Sequence, residues 1–295
     1  MSCLLLGANG QLGRHLRERM TDLVSCARTD ADVHCDLTDE AALDHVLASV
    51  RPSTIINAAA WTAVDDAEDH RHAAFQLNRD VPARLSAWCR DSGALLVHYS
   101  TDYVFSGKPG RGWREDDPVA PKSVYGASKL AGEQAVAASG CRGLVLRTAW
   151  VYSALPGNFL SAILHRAGQG GDLRVVSDQV GSPTWAGTLA HATDVLLERV
   201  AQNVERPTLL HVAGKGAMSW YELATTAVQM AAERGIIESA VAVEPITSDQ
   251  WPQKAKRPEW SVLDGSRYER MTGESLPDAR AALAECLDQW KDAAC

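Results

Sequence analysis

The chain has 295 residues, and its 37 acidic against 29 basic side chains give a formal net charge of −8, which argues against nucleic acid or an anionic membrane as the main partner. No apolar stretch reaches the roughly 20 residues of a membrane span, and the start of the sequence lacks the basic flank and cleavage site of a signal peptide. The seven cysteines are dispersed and form no Cys-x-x-Cys pair, which is typical of reduced thiols in a cytoplasmic protein.

The first predicted unit is a strand, a tight turn and a helix. The apolar residues 3–6 are followed by glycines at 7, 10 and 13, and a helical pattern continues to about Met20. Such glycines allow a tight turn, close approach of a pyrophosphate and close helix packing, while the helix N-terminus offers free N–H donors. Glycine triplets also occur in ordinary turns, but this position on a strand-to-helix turn predicts a dinucleotide site.

Short β-rich runs then alternate with longer amphipathic segments. This alternation predicts a parallel sheet with right-handed crossovers and helices on both faces. After about residue 150 the alternation loosens, and we expect a dinucleotide-binding domain at 1–150, with later returns of the chain at roughly 185–215, and an interleaved, mainly substrate-binding lobe at 151–295. The predicted strands are 3–6, 23–27, 54–57, 94–99 and 143–147. The predicted helices are one from the glycine turn to about 20, two at 39–49 and 72–92, and one that carries Tyr125 and Lys129 and ends at about 139.

Tyr125 and Lys129 are four residues apart, so that a phenol and an ammonium lie on one face of a predicted helix. A nearby cation favours the charged form of a tyrosine and would lower its pKa from about 10 toward the working pH, where proton exchange is efficient. This spacing also arises by chance on solvated helices. Ligands of open parallel sheets bind at the carboxyl ends of the strands, where the glycine turn and residues 57–60, 100–103 and 147–150 are all expected.

The combined motifs resemble those of the extended short-chain dehydrogenase/reductase family, and most closely its dTDP-4-dehydrorhamnose reductase branch. The resemblance implies an α/β, Rossmann-type doubly wound parallel sheet with a smaller C-terminal substrate-binding lobe. The segments that carry it are Gly-Ala-Asn-Gly-Gln-Leu-Gly at 7–13, Asn-Ala-Ala-Ala-Trp-Thr-Ala-Val-Asp-Asp-Ala-Glu at 57–68, Ser-Thr-Asp-Tyr-Val-Phe-Ser-Gly at 100–107, Tyr-Gly-Ala-Ser-Lys-Leu-Ala-Gly-Glu at 125–133, Arg-Thr-Ala-Trp-Val-Tyr at 147–152, Asp-Gln-Val-Gly-Ser-Pro-Thr at 178–184 and Arg-Pro-Glu-Trp-Ser at 257–261.

The resemblance implies hydride transfer from a reduced nicotinamide to the 4-keto carbon of a dTDP-linked 4-keto-6-deoxyhexose, with dTDP-4-dehydrorhamnose as the expected substrate. The implied catalytic residues are Thr101, which orients the carbonyl, Tyr125, which donates the proton, and Lys129, which binds the nicotinamide ribose. Two alternatives stay open: a related ketoreductase of an antibiotic deoxysugar pathway, of the dTDP-dihydrostreptose synthase type, and a non-catalytic NADP-binding regulatory subunit. Retention of all three residues argues against the regulatory subunit.

Cofactor preference depends on the residues after the second predicted strand. Arg28 at this position favours the 2′-phosphate of NADPH, although Asp30 and Asp32 follow and would favour NADH if the loop had a different register. We therefore expect NADPH, with NADH tolerated. The full set of expected cofactor-binding residues is Gly7, Gly10, Gln11, Leu12, Gly13, Arg28, Asp36, Leu37, Ala58, Ala59, Ala60, Tyr125 and Lys129.

The resemblance also implies contacts to the dTDP-sugar. Trp150 would form an apolar wall against the hexose, the alternative being a core aromatic, and Arg257 would hold the diphosphate, the alternative being a surface ion pair. The full set of expected substrate-binding residues is Thr101, Asp102, Tyr103, Trp150, Gln179, Pro183 and Arg257.

The expected assembly is a monomer or a weak homodimer without a magnesium bridge. Members that dimerise through magnesium carry one glutamate after the glycine turn and another after the Gly-x-Pro-Thr segment. His15 and Gly187 lie in the corresponding stretches of this chain and supply no carboxylate, whereas magnesium prefers oxygen ligands. We therefore expect no structural metal.

Overall fold

The computed structural model describes residues 2–293. Its strands are β1 (Cys3–Leu6), β2 (Leu23–Ala27), β3 (Val33–His34), β4 (Thr54–Asn57), β5 (Leu95–Thr101), β6 (Arg142–Thr148), β7 (Val151–Tyr152), β8 (Leu173–Val176), β9 (Val180–Gly181), β10 (Thr184–Trp185), β11 (Thr208–His211), β12 (Met218–Ser219) and β13 (Val243–Ile246). Its α-helices are α1 (Gln11–Arg19), α2 (Glu40–Val50), α3 (Asp66–Asp69), α4 (Arg71–Phe75), α5 (Val81–Ser92), α6 (Val124–Ser139), α7 (Phe159–Gly168), α8 (Ala186–Arg199), α9 (Trp220–Glu233), α10 (Ser266–Thr272) and α11 (Ala279–Ala293). Within the described residues, no helix is long and apolar enough to cross a membrane.

Seven parallel strands form the central sheet, in the order β11-β6-β5-β4-β1-β2-β3. The strand order reverses between β1 and β4, so the connections after these two strands leave in opposite directions and form a crevice at the carboxyl ends, where ligands of this architecture bind. The glycine turn follows β1 and the Asn-Ala-Ala-Ala segment follows β4, so both lie at this crevice. The predicted α/β doubly wound parallel sheet is confirmed.

Side chains of the buried strands alternate between two cores. Leu5 faces the core that contains Leu16 of α1 and Leu196 of α8, whereas Leu4 faces the core that contains Leu43 of α2 and Leu85 of α5. Because the sheet is covered on both faces, β1 is apolar and buried at every position, as buried parallel strands require.

The part of the chain beyond β6 has its own apolar core, built from β7, α7, α9 and α11. Tyr152, Leu160, Leu223 and Leu283 are among its fully buried members. The chain also returns to the central sheet, because β11 pairs with β6 and α8 packs on α1. The assignment of cofactor binding to 1–150 and of substrate binding mainly to 151–295 stays a prediction.

One predicted helix is interrupted. The pattern at 72–92 predicts a single helix, but α4 and α5 are separated by a π-helical turn at Gln76–Asp80. Pro82 has no N–H and its ring excludes the carbonyl of Asn78 four residues earlier, so the regular hydrogen bond is lost at this point. That carbonyl packs instead against α6, where a Cβ on Gly132 would lie 2.2 Å from it.

Candidate active site at the carboxyl edge of the sheet

The glycine turn is shaped by backbone packing. Gly7 has φ +76°, and a Cβ there would lie 2.6 Å from the amide nitrogen of Ala59. A Cβ on Gly13 would lie 2.2 Å from the carbonyl oxygen of Gly7. Gly10 is the N-cap of α1 and has no side chain to satisfy the first N–H groups of the helix, which therefore face the crevice as donors for an anion.

The remaining residues expected near the cofactor line the same edge. Ala58, Ala59 and Ala60 are half-buried beside the glycine turn. Gln11 accepts a hydrogen bond of 3.0 Å from Ser153, and Leu12 packs against the core that contains Leu16 of α1. The structure thus brings the turn after β1 and the segment after β4 into contact.

The loop after β2 carries Arg28 and Asp32, the residues on which the expected cofactor preference depends. Arg28 is exposed, whereas the carboxylate of Asp32 accepts hydrogen bonds from the N–H and hydroxyl of Ser25, at 2.9 and 2.7 Å. Asp36 is held by Thr38, whose backbone N–H and hydroxyl lower the pKa of the Asp36 carboxyl, with a smaller effect of the Arg28 charge. Leu37 is buried in the core that contains Leu43 of α2.

Helix α6 carries the Tyr-Lys pair and begins at a cap that its sequence explains. The hydroxyl of Ser123 accepts a hydrogen bond of 3.1 Å from the N–H of Gly126, which satisfies one free donor of the first turn. A Cβ on Gly126 would lie 2.4 Å from the carbonyl oxygen of Tyr103. This glycine therefore lets the first turn of α6 pack directly on the turn after β5, and the rings of Tyr125 and Tyr103 meet edge to face, 5.4 Å apart.

Thr101 ends β5 at the centre of the candidate site. Its hydroxyl donates a hydrogen bond of 3.0 Å to the carboxylate of Asp102 and accepts one of 3.2 Å from the N–H of Tyr103. Burial raises the pKa of Asp102 to about 6. The Thr101 side chain also acts on the Tyr125 phenol, because it lowers the pKa of that group. The structure therefore brings the predicted carbonyl-orienting residue and the predicted proton donor together.

The pKa of Tyr125 differs from the expectation. Burial raises it to about 12, and the Thr101 side chain opposes that rise without reversing it. Lys129 is 2% exposed, and its ammonium donates a hydrogen bond of 2.6 Å to the carbonyl of Tyr99. Burial lowers the pKa of Lys129 to about 8, against an opposing effect of Glu133. The predicted lowering of the tyrosine pKa is wrong for this structure, because helix spacing does not reveal how much desolvation a pair undergoes.

Arg257 forms a two-point ion pair with Asp65. Its terminal nitrogens lie 2.9 and 2.8 Å from the two carboxylate oxygens, and this hydrogen bonding lowers the pKa of Asp65 to about 2. Interaction with Tyr103 also raises the pKa of Arg257, so the guanidinium lies near the turn after β5. The ion-pair alternative describes the observed contact, and the diphosphate contact stays a prediction.

Trp150 lies two residues after β6 and has φ +49°, a left-handed conformation that is rare for a bulky residue. Its indole stacks on Trp220 and packs against two apolar cores. Gln179 is buried and donates a hydrogen bond of 2.9 Å to Ser248, while Pro183 is buried beside Gly214. Backbone hydrogen bonds join the segments around Gln179 and Arg257. The N–H of Val180 donates to the carbonyl of Glu259, and the carbonyl of Val180 accepts from the N–H of Ser261.

Several residues of the site were missed at the level of sequence. Asn78 donates a hydrogen bond of 2.9 Å to Ser128 on the buried side of α6. Glu133 makes a buried ion pair with Arg147. The signal for Glu133 was its position four residues after Lys129, which places both on the face that carries Tyr125.

Within the described part of the chain, no group of three or more His, Cys, Asp or Glu residues is arranged to hold a metal. His15 is buried edge-on against Trp185, and burial lowers its pKa. A Cβ on Gly187 would lie 2.5 Å from the same indole. The Trp185 ring thus fills the space next to both positions, and the absence of a metal bridge stays a prediction.

The parallel sheet, the glycine turn and the Tyr-Lys pair define a Rossmann-type oxidoreductase of the extended short-chain dehydrogenase/reductase class. A family model described as the RmlD substrate binding domain matches residues 1–291, and the chain belongs to this family.

Relatives at high coverage agree with this placement. The chain is 37% identical over 283 residues to a dTDP-4-dehydrorhamnose reductase of Streptomyces griseus, covering 96% of this chain and 91% of the relative. It is also 37% identical over 289 residues to a Streptomyces antibioticus protein named probable dTDP-4,6-dihydroxy-2-methyloxan-3-one 4-ketoreductase, covering 97% and 95%. The crystal structure of a Bacillus anthracis dTDP-4-dehydrorhamnose reductase in complex with NADP superimposes with a TM-score of 0.88 at 30% identity, covering 98% of this chain and 99% of that one.

Proposed function

We propose that this protein catalyses the NADPH-dependent reduction of the 4-keto group of a dTDP-4-keto-6-deoxyhexose, with dTDP-4-dehydrorhamnose as substrate and dTDP-L-rhamnose as product. The observation that carries the proposal is the pair of Thr101 and Tyr125: Tyr125, in the first turn of α6, packs on the turn that follows Thr101 of β5, and the buried ammonium of Lys129 lies one helical turn further on. Such a pair can orient a carbonyl and protonate its oxygen. Relatives with the same reductase name support the choice of substrate.

The residues at the crevice fit a dinucleotide phosphate. The free N–H groups at the start of α1 suit the pyrophosphate, Gly7 and Gly13 allow the backbone to pack closely there, and the exposed Arg28 would pair with the 2′-phosphate. Lys129 would bind the nicotinamide ribose. When bound, NADPH supplies the hydride.

The protein side of the reaction is proton delivery. As the sugar carbonyl is reduced, negative charge develops on its oxygen, and the Tyr125 phenol donates its proton to that atom. The raised pKa keeps Tyr125 protonated at neutral pH, so the proton is available before the reaction starts. Thr101 holds the carbonyl oxygen toward the phenol, and the Lys129 charge stabilises the phenolate that is left.

Substrate contacts are proposed from the same edge. Asp102 and Tyr103 lie beside Thr101, and Trp150 lies two residues after β6 with its indole packed between Trp220 and Gly181. Gln179 and Pro183 belong to the segment whose backbone is hydrogen-bonded to residues 259–261, just after Arg257. For Arg257 to bind the diphosphate, it would share or exchange its contact with Asp65.

A second candidate substrate is a different 4-keto deoxysugar of an antibiotic pathway. The similarity to the Streptomyces antibioticus ketoreductase, at the same 37% identity as the rhamnose-pathway relative, supports this alternative. The proposed chemistry at Thr101, Tyr125 and Lys129 would be unchanged, because only the ring substituents differ.

We also propose a cytoplasmic protein that acts as a monomer or weak homodimer, with no nucleic-acid partner. The six cysteines among the described residues are buried free thiols, which suits a reducing compartment, while Cys295 lies outside the described residues.

The test is oxidation of NADPH by the purified protein with a panel of dTDP-linked 4-keto-6-deoxyhexoses, followed by NMR of the product. We expect turnover to be fastest with dTDP-4-dehydrorhamnose, and dTDP-glucose, which has no keto group, serves as the control. Faster turnover with another 4-keto sugar would favour the second candidate. No NADPH oxidation with any member would contradict the reductase function.

A further inference from the structure

Helix α6 continues its functional face beyond Lys129. Tyr125, Lys129 and Glu133 are spaced by four residues, so their side chains project from one side of the helix toward the sheet. Glu133 is 7% exposed and is therefore a buried carboxylate. A charge that far from water requires partners in the interior.

The partners of Glu133 come from the two strands below it. Its carboxylate receives two hydrogen bonds from Arg147 on β6, at 2.8 and 2.7 Å, and one from the hydroxyl of Ser100 on β5. Ser100 and Arg147 are register partners in the sheet. Glu133 therefore fixes α6 to β5 and β6 at one level, immediately before Thr101.

We infer that Glu133 is a positioning residue of the proposed reductase, which sets Tyr125 and Lys129 against Thr101 and supplies the counter-charge of the Lys129 ammonium. The inference rests on the proposed function. The hydrogen bond to Ser100 fixes the end of β5 that carries Thr101. Because Glu133 and Tyr125 lie on the same helix, this bond also fixes the position of Tyr125 relative to Thr101. The same carboxylate acts on Lys129, because the charge of Glu133 raises the pKa of the amine against the effect of burial.

The other charged and titratable groups near Glu133 and Lys129 do not mask the effect of the Glu133 charge on the Lys129 titration. His98 on β5 faces Lys129, and burial lowers its pKa well below the ordinary value. His211 on β11 faces Arg147, and burial lowers its pKa to about 3, so both imidazoles stay neutral at and above neutral pH. Glu115 lies on the other side of Arg147, where it pairs with Arg267 at 3.5 Å.

The central variant is Glu133→Gln, which keeps the shape of the side chain but removes its charge. We expect kcat to fall by about 10²-fold, as a misplacement of about 1 Å produces. We also expect Lys129 to titrate at lower pH, measured in the free protein by NMR of its ε-carbon and assigned with Lys129→Arg. Ser100→Ala removes one anchor and keeps both charges, so kcat should fall while the Lys129 titration stays unchanged.

Asp44→Asn is the matched control, because Asp44 is likewise held at two points by an arginine, Arg84, but on the exposed surface between α2 and α5. It should change neither readout. Wild-type kcat in Glu133→Gln, or an unmoved Lys129 titration, would overturn the inference.

If Glu133→Gln does not fold, because Arg147 is left buried without its counter-charge, Glu133→Asp replaces it. The shorter carboxylate keeps the charge and moves the anchor, so kcat should fall with a wild-type Lys129 titration, and unchanged kcat would overturn the inference. A wild-type protein that reduces no 4-keto sugar would contradict the proposed function alone, since the Lys129 titration needs no substrate.

Discussion

Trp150 and Trp220 stack in parallel, with ring centroids 3.6 Å apart and 3° between the ring planes. Trp150 follows β6 of the central sheet, whereas Trp220 begins α9, so the stack joins the carboxyl edge of the sheet to the second part of the chain. The left-handed backbone of Trp150 is held by this packing. The aromatic wall proposed for the hexose is therefore fixed by protein contacts.

Gly181→Ala tests the importance of that fixed wall. A Cβ at this position would lie 2.5 Å from the indole of Trp150, so the ring must move. Overpacking of this kind costs about 1–3 kcal/mol, and we expect the KM for the dTDP-sugar to rise about tenfold with little change in NADPH affinity. Steady-state kinetics provide the measurement. Gly168→Ala is the control, because the nearest atom to its Cβ is 3.7 Å away; equal KM values in both variants would contradict a role of Trp150 in sugar binding.

Tyr125→Phe removes the proposed proton donor. The ring keeps its edge-to-face contact with Tyr103, so NADPH affinity should be nearly unchanged, whereas kcat should fall by about 10²-fold or more. Single-turnover kinetics and NADPH fluorescence titration separate the two quantities. Tyr268→Phe, a buried tyrosine of α10, is the control. Turnover close to wild type in Tyr125→Phe would assign proton donation to another group.

The alkaline limb of kcat/KM should report Lys129. Its pKa is about 8, whereas Tyr125 with a pKa of about 12 keeps its proton, so activity should fall as pH rises through about 8. Lys129→Arg should move this limb to higher pH at reduced kcat, because a guanidinium stays charged. An unmoved limb in the variant would assign the titration to a different group.

The contribution of Lys129 to stability should increase with pH, whereas activity should decrease. The folded-state pKa of Lys129 is about 8 and the ordinary value is 10.5, so the unfolded chain binds more protons between these values. The contribution of this lysine to the free energy of unfolding therefore increases as pH rises from about 8 to 10.5. Denaturant unfolding of the wild type and of Lys129→Met across this range isolates the contribution.

The sequence predicted the sheet well because buried parallel strands and their intervening helices have strong periodic patterns. Strand β4 has its predicted bounds, 54–57, and α6 carries Tyr125 and Lys129 and ends at Ser139 as predicted. Strand β3 was missed, since its two residues carry no pattern. The π-helical turn before α5 was missed because its cause, Pro82, is compatible with an ordinary first helical turn.

The candidate site was predicted where chemistry depends on residue type and spacing, and less well where it depends on burial. The Tyr125–Lys129 spacing and Thr101 were identified from motifs, but the raised pKa of Tyr125 reflects desolvation by elements distant in sequence. The pairing of Arg257 with Asp65, which lies 192 residues earlier, likewise has no local signal.

Arg28→Ala should weaken NADPH binding far more than NADH binding. Loss of a charge-assisted hydrogen bond to the 2′-phosphate costs about 1.5–3 kcal/mol, which corresponds to about 10- to 100-fold in Kd. Fluorescence titration with both cofactors measures the ratio. Arg19→Ala is the control, because Arg19 is held by Asp194 at 2.8 Å on the α8 side of α1. Equal weakening of both cofactors by Arg28→Ala would place the 2′-phosphate contact elsewhere.

Removal of divalent metal should leave activity and association state unchanged. The family resemblance implies that His15 and Gly187 lie in the stretches where magnesium-bridged members carry carboxylates, and a buried imidazole beside Trp185 is a poor ligand for a cation that prefers oxygen. Proton donation by Tyr125 also needs no Lewis acid at the carbonyl. Turnover and sedimentation velocity with EDTA, and again after addition of magnesium, provide the measurements. Loss of activity together with dissociation on chelation would require a metal site formed by other residues.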